Sequence, residues 1–311
     1  MTTGTPLRFG LMTYEAAPWP ELIARWRRFE DQGWDSLWAG DHLWSALDPE
    51  GRPVRGRFDA WMLAAGIASA TSRVTVGTLV SAAPLRNPAM VAKQAMTLDH
   101  LSGGRAVAGI GAGGNPKDLA YAGVAPWPPA DRGPLLDEYL TVVRGVLEQD
   151  RFDHDGPHFG VAGAVRAPGP VTGERPPLLV AAHVDATLAV AARHADVWSS
   201  YGSLFSQLRR GVKLDEKESL RLTGERAALL DAHAERAGRD PASIRKSFMA
   251  GFTEDAPWES VERFRDFVGR FTGIGITEFM FPFPLQGPHR EGVFEEVVAE
   301  VLPRLRAGER P

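Results

Sequence analysis

Two stretches of this sequence carry residue types that could do chemistry. In SLWAGDH (36–42) an apolar run ends on Asp41–His42, a carboxylate beside an imidazole. Imidazole titrates near neutrality, so His42 at a strand end can donate or accept a proton. The same histidine could instead be bonded to Asp41 as a structural brace. In SGGRAVAGIGAGGN (102–115) a strand-like run leads into glycines, of which Gly109, Gly111 and Gly114 fit G-x-G-x-x-G. A dinucleotide-binding turn joins a first strand directly to a helix, with an acidic residue on the order of twenty positions later. Here the motif lies on the fourth strand-like run, and NPKDLAYAGVAPWPPAD (115–131) is too proline-rich to begin as a packed helix. The glycines therefore read as bare backbone at a strand-end rim, where a flat ligand can approach closely. Alternatively, Gly111 and Gly113 merely allow tight packing.

Other chemistries find less support. His154 and His158 have H-x-x-x-H spacing, but Gly156 and Pro157 break any helix that would turn both toward one ion, so no metal is expected. No G-x-S-x-G elbow marks a hydrolase. The absence of cysteine excludes disulfides, thiolate metal sites and a cysteine nucleophile. Acidic residues outnumber basic ones by 39 to 35, which gives no footprint for nucleic acid or an anionic membrane. AWMLAAGIASA (60–70) is too short to span a bilayer, and MTTGTPLRFG lacks an export pattern, so a soluble cytoplasmic protein is expected.

The elements that must position these residues follow a repeating rhythm. Strand-like runs cover 7–13, 36–42, 74–80, 105–113, 177–182, 196–202, 244–252 and 275–283. Between and after them, amphipathic runs cover 20–33, 58–71, 88–101, 131–149, 185–195, 219–238, 258–271 and 292–305. Pro88 suits a helix start, and Gly103–Gly104 suit its left-handed end. Eight alternating units imply parallel strands and predict a single α/β (β/α)8 TIM barrel over 1–311, with an open doubly wound sheet as runner-up. Two inserts interrupt the rhythm. Residues 151–177 are rich in Gly and Pro and contain the hairpin-like FDHDGPHFG, while 203–217 is a polar stretch that reads as a lid or an ordinary loop.

GWDSLWAGDH (33–42), RNPAMVAKQAMTLDHLSGGRAVAGIGAGG (86–114), PPLLVAAHVDATLAVAARHADVWSSYG (176–202) and GITEFMFPFP (275–284) together resemble the luciferase-like monooxygenase superfamily. Those bacterial-luciferase-like barrels use flavin mononucleotide (FMN) or the deazaflavin coenzyme F420. The resemblance implies a ring lying across the C-terminal strand ends, with Asp41 against it and His42 near its reactive atom or the substrate. Leu79, Val80 and Ser81 match a bulge, often with a non-proline cis peptide, behind the central ring. Ala112, Gly113, Gly114 and Asn115 match a segment along the ribityl chain or ring edge. Asn115 could donate a hydrogen bond there or simply cap the turn. Sugar-phosphate dehydrogenases of the superfamily carry a glutamate at the place of Gly114, so glucose-phosphate oxidation is not expected. Ala181, Ala182 and His183 match the phosphate loop, often written Gly-Gly, with Asp185 a good N-cap that would repel an anion if turned inward. Ser199, Ser200 and Tyr201 could supply hydroxyls, and Arg290 is a further cation beyond the last strand. Tyr14, Trp44 and Trp198 are candidates to wall a substrate pocket, as are Trp61 and Trp127, although core packing is the commoner role. Trp26 and Trp34 are assigned to packing.

Three functional readings follow. The first is F420-dependent hydride transfer to or from a small organic substrate, with His42 handling a proton. The second is an FMN monooxygenase fed by a separate flavin reductase, in which the protein must shield a reactive ring from water. The third is a barrel that binds flavin without turnover. The resemblance also implies a homodimer packed through the early helices.

Overall fold

The computed structural model describes residues 6–13, 17–43, 46–47, 53–113 and 115–311. Eight parallel strands form the centre: β1 (Arg8–Thr13), β2 (Ser36–Ala39), β3 (Thr75–Thr78), β4 (Ala106–Gly111), β5 (Leu178–Ala181), β6 (Val197–Ser200), β7 (Arg245–Met249) and β8 (Glu278–Phe283). They pair in chain order, and β8 returns to β1 through Arg8↔Glu278 to Thr13↔Phe283. Because β4 pairs with β5 from Leu178↔Ala108 to Ala181↔Gly111, the sheet closes into a TIM barrel and the open-sheet alternative is excluded.

Side-chain alternation sorts the strands into an inside and an outside. Met12, Trp38, Val107, Leu179, Val197, Met249 and Met280 point inward and form one buried cluster with Leu79. Their neighbours Leu11, Leu37, Ala108, Val180, Trp198, Phe248, Phe279 and Phe281 point outward into a second, larger core beneath the helices. Strands buried on both faces are why these runs read as nearly continuous apolar sequence.

The helices on the outside are α1 (Trp19–Asp31), α2 (Ala60–Ala70), α3 (Pro88–Ser102), α4 (Pro116–Tyr121), α5 (Arg132–Glu148), α6 (Asp185–His194), α7 (Phe205–Leu208), α8 (Glu216–Arg236), α9 (Val261–Thr272), α10 (Val293–Glu296) and α11 (Leu302–Arg306). In α1 the buried face is Leu22, Trp26 and Phe29, at helical spacing. The Asn87 side chain caps α3 by accepting from the Ala89 and Met90 N–H groups, Pro88 takes the first turn, and Gly103 ends the helix at φ +67°. The last two helices are joined by a π-helical turn over Val297–Val301.

Two departures from the sequence expectations, and one feature that the family resemblance implied, bear on the site. Asn115 caps α4 by accepting from the Lys117 N–H at 3.0 Å, and Pro116 occupies its first turn. The 115–131 stretch therefore does begin as a helix, because proline at that position forfeits only an N–H that had no partner anyway. A further excursion precedes α2, where Ala46–Leu47 pairs antiparallel with Pro53–Arg55. Third, β3 is broken and resumed: Gly77 faces Val107 and Ser81 faces Ile110, so four residues on one strand span three on the other. The extra residue is a bulge, and within it the Leu79–Val80 peptide is cis.

The insert at 151–177 contains an antiparallel hairpin, Arg151–Asp155 with Gly160–Val165. Glu138 on α5 anchors it, accepting from the His158 and Phe159 N–H groups and pairing with His154 Nε2 at 3.2 Å. The two histidines thus lie about a hairpin turn rather than on one helical face. The insert at 203–217 contains α7 and returns toward β7 through Lys213 Nζ, which donates to the Gly251 carbonyl at 3.1 Å.

Candidate active site

Apolar strand ends leave a cavity of about 330 Å³ at the C-terminal mouth of the barrel. Its floor and walls include Met12, Leu79, Val80, Leu85, Leu119, Met249 and Phe252, with Phe205 of α7 at its edge. A mostly apolar slot with a few polar groups is the usual form of a small-molecule site.

The glycine cluster borders this slot because nothing larger fits. A Cβ on Gly109 would lie 1.8 Å from the Thr78 carbonyl oxygen, and one on Gly111 would lie 2.8 Å from Val80 Cγ2. Gly113 has φ +69°, and a Cβ there would lie 2.7 Å from Pro84 Cδ. The bulge and the glycines are therefore one device: β4 must be bare where β3 swells. Gly111, Ala112 and Gly113 line the cavity beside Leu79 and Val80, whereas Gly114 lies outside the described residues.

Asp41 and His42 part company at the end of β2. Asp41 is buried, and its carboxylate accepts from both Arg86 Nη groups, from the Ala82 N–H at 3.0 Å and from Ser81 Oγ at 3.4 Å. Arg86 continues to Asp59 at 2.7 Å. Burial pulls the Arg86 pKa down, but the two carboxylates more than offset this and leave it above the ordinary value. Asp41 borders the cavity, but its charge is taken up in bracing the bulge rather than in holding a ligand. Ser81 does not line the cavity; it lies between Asp41 and Trp61 Nε1, which donates to it at 3.1 Å.

His42 instead pairs with Asp118 on α4, Nδ1 to Oδ2 at 2.8 Å. Asp118 is buried and also accepts from the Leu43 N–H at 2.7 Å, while the His42 side chain is 46% exposed at the cavity rim. An ionised carboxylate on Nδ1 fixes the tautomer with the proton there, leaving Nε2 as the atom that gains or loses a proton. Asp118 was not singled out in the sequence. Its signal was an acidic residue in the first turn after Asn115–Pro116, visible only once that stretch is recognised as a helix. Asn115 lines the cavity; its side-chain oxygen caps α4, which leaves the amide nitrogen as its remaining side-chain donor.

At the far side, Ala181, His183, Ser199, Ser200 and Tyr201 line the cavity, while Ala182 and Trp198 do not. Both of the latter point outward by strand alternation, and Trp198 Nε1 donates to the Ala182 carbonyl at 2.9 Å in the outer core. Trp198 is therefore a packing residue, not a pocket wall. Trp127 likewise packs against Tyr139 and Phe159. Arg290 is exposed and outside the cavity lining. Tyr14 and Trp44 lie outside the described residues.

His183, Val184 and Thr187 bring the start of α6 to the cavity wall. Asp185 turns away from the cavity to pair with His233 of α8 at 2.8 Å, so the helix N-terminus is not opposed by its own carboxylate. Arg132 is the only Lys or Arg among the described cavity-lining residues. Its Nε donates to the Trp127 carbonyl at 3.3 Å, and its two Nη groups have no hydrogen-bond partner among the described residues. Gly133 brings the two helix starts together, since a Cβ there would lie 3.1 Å from Ala186. A bare-backbone slot with a cationic fork and a helix N-terminus at one end fits a planar ring carrying a phosphate.

Comparison with known proteins bears on the same region. The luciferase-like monooxygenase profile matches residues 1–299. An uncharacterized protein of Mycobacterium tuberculosis is 35% identical over 161 residues, 52% of this chain and 53% of the relative, so the match spans about half of that relative's length. A phthiodiolone/phenolphthiodiolone dimycocerosates ketoreductase of Mycobacterium bovis is 29% identical over 78% of this chain and 64% of its own. Among solved structures, an F420-dependent secondary alcohol dehydrogenase in complex with an F420-acetone adduct superposes with TM-score 0.75 at 17% identity, covering 96% of this chain and 98% of the other. A riboflavin lyase with modified FMN also gives TM-score 0.75 at 17% identity, covering 98% and 92%. The closed barrel agrees with the profile match over nearly the whole sequence: the chain belongs to the luciferase-like monooxygenase family.

Proposed function

We propose that this oxidoreductase moves hydride between coenzyme F420 and a small, mostly apolar alcohol or ketone, with the His42–Asp118 pair handling the proton. The observation that carries the reading is that pair at the rim of an apolar slot that Arg132 and the start of α6 also border. A bound deazaflavin would supply the hydride acceptor or donor. Leu79, Val80 and Gly111 would face its ring, and the start of α6 with Arg132 would hold its phosphate. In alcohol oxidation, neutral His42 Nε2 takes the hydroxyl proton as the carbon loses hydride; in reduction the protonated imidazole returns it. Asp118 keeps the ring oriented and stabilises its charged form. Apolar walls exclude water and favour an uncharged substrate. The relative named as a ketoreductase supports reduction of a ketone as the reaction class.

FMN is the alternative coenzyme, because none of the described cavity-lining residues rejects an isoalloxazine; in that case a separate reductase would supply the reduced flavin. Titrating the purified protein with F420 and with FMN, following ring absorbance and thermal shift together, tests the choice. Saturable F420 binding with turnover of simple secondary alcohols or ketones is expected. Preferential FMN binding with oxygen-dependent turnover would replace this reading by the monooxygenase. Coenzyme binding without turnover of any such substrate would leave the binding barrel.

Self-association through the early helices is part of the proposal. Helix α2 is apolar almost all round, yet Met62 is 69% exposed, with Met90 of α3 and the aromatic pair Trp19–Phe58 also exposed. A helix without a polar face is ordinarily covered, and a second copy of the chain is the proposed cover. Among the described residues no helix is long and apolar enough to cross a membrane.

A further inference from the structure

In a closed ring of eight strands, β2 and β6 lie four steps apart and face each other across the mouth. His42 follows the first and Tyr201 the second. The Tyr201 ring lies on His183, with centroids 3.9 Å apart, and against Phe252 at 5.4 Å. Its hydroxyl has no hydrogen-bond partner among the described residues, and the residue lines the cavity. Behind this pair stands Arg226 of α8, itself 5% exposed. Its Nε donates to the His183 carbonyl at 3.0 Å and its Nη2 to the Ser203 carbonyl at 2.9 Å, which ties the ends of β5 and β6 together. The Arg226 guanidinium can only donate, so it cannot serve as the acceptor of the phenol. Burial, helped by the nearby guanidinium, holds the His183 imidazole well below its usual pKa and hence neutral. Burial also raises the Tyr201 phenol, which stays protonated.

We propose, resting on the oxidoreductase reading above, that Tyr201 is a second ligand-contacting hydrogen-bond donor of the site, opposite His42. It binds an acceptor oxygen of the coenzyme ring or of the substrate, and Arg226 is the positioning residue that sets its wall. No proton is transferred by Tyr201; its O–H holds an oxygen that gains electron density during the reaction. The polar groups behind it agree with a wall built for orientation. Ser203 Oγ, Ser219 Oγ, Thr223 Oγ1 and Arg226 Nη1 are enclosed and have no hydrogen-bond partner among the described residues. Ser219, Thr223 and Arg226 share one face of α8 toward the strand ends, a stripe that apolar side chains would fill if packing alone were required.

The test uses Tyr201→Phe, which keeps the ring stack, with Arg226→Met and Arg226→Lys in the intact protein. Coenzyme affinity is read by titration without substrate, and KM and kcat are read separately with a secondary alcohol. Tyr201→Phe should weaken coenzyme binding or raise KM by about tenfold, with Tm unchanged, as expected for one lost hydrogen bond. The titration assigns the oxygen to the coenzyme, and a change confined to KM assigns it to the substrate. Arg226→Met should reproduce that loss, and Arg226→Lys should recover part of it; should the methionine variant not fold, the lysine variant carries the comparison. Coenzyme affinity, KM and kcat all within twofold of wild type in Tyr201→Phe overturn the proposal while leaving the oxidoreductase reading intact. Failure of the wild type to bind F420 or FMN overturns the two together.

Discussion

Replacing Asp118 by asparagine tests the central pair with almost no change of shape. In the wild type one carboxylate oxygen accepts from the Leu43 N–H at 2.7 Å and the other faces His42 Nδ1 at 2.8 Å. The Leu43 N–H is backbone and can only donate, so it selects the amide oxygen of the new side chain. The amide nitrogen then faces Nδ1 and donates to it, which moves the imidazole proton to Nε2. In that tautomer Nε2 cannot accept a proton, and the carboxylate that stabilised the charged ring is gone. General acid–base transfer contributes about 10²–10⁴-fold, or roughly 3–5 kcal/mol of barrier, and the variant should lose most of this. Single-turnover hydride transfer, followed by deazaflavin absorbance with a secondary alcohol, measures the loss. Coenzyme affinity and Tm should remain near wild type. Because the two residues act as one unit, Asp118→Asn combined with His42→Ala should be no slower than His42→Ala alone. An Asp118→Asn rate within about threefold of wild type, or fully additive losses in the double variant, would refute the tautomer argument.

Three further expectations follow from the framework around the site. Gly109→Ala would drive a Cβ to 1.8 Å from the Thr78 carbonyl oxygen, so denaturant unfolding should show a loss of about 3 kcal/mol or more, or no soluble protein. Glu30 is buried, and burial raises its pKa, but the N–H groups of Arg73, Ser72 and Val74 outweigh this and hold it below the ordinary value. Its stabilisation should therefore be complete above the unfolded-state pKa of about 4.3 and disappear as pH falls through the lower folded value. The stability gap between wild type and Glu30→Gln should be about 1–3 kcal/mol at neutral pH and close in acid. Met62→Glu places a charge on the exposed apolar face of α2 and should shift sedimentation toward monomer without altering coenzyme binding.

The repeating pattern of strand-like and amphipathic runs was enough to read eight β/α units, since each strand is buried on both faces and each helix on one. Helix α3 was legible almost to the residue, because Asn87–Pro88 and Gly103 fix its ends by local backbone chemistry. Helix α4 is hidden by the proline-rich character of 115–131, although Pro116, at a first helical turn, breaks nothing. The bulge and its cis peptide were expected only by family resemblance; no local propensity marks Leu79–Val80.

What the sequence determined by itself was therefore whatever depends on neighbours in the chain: periodicity, caps, turns, and the placement of His42 and the glycines at strand ends. Only the tertiary structure decided which charges meet. Asp41 and His42 are adjacent, yet Asp41 goes to Arg86 and His42 to Asp118, 76 residues away. Trp198 and Ala182 left the candidate site for the same reason in another form, because strand alternation turns them outward once the register is fixed. Hydrogen bonds and ion pairs depend on distances of a few ångströms in space, and sequence separation carries no information about those until the barrel has closed.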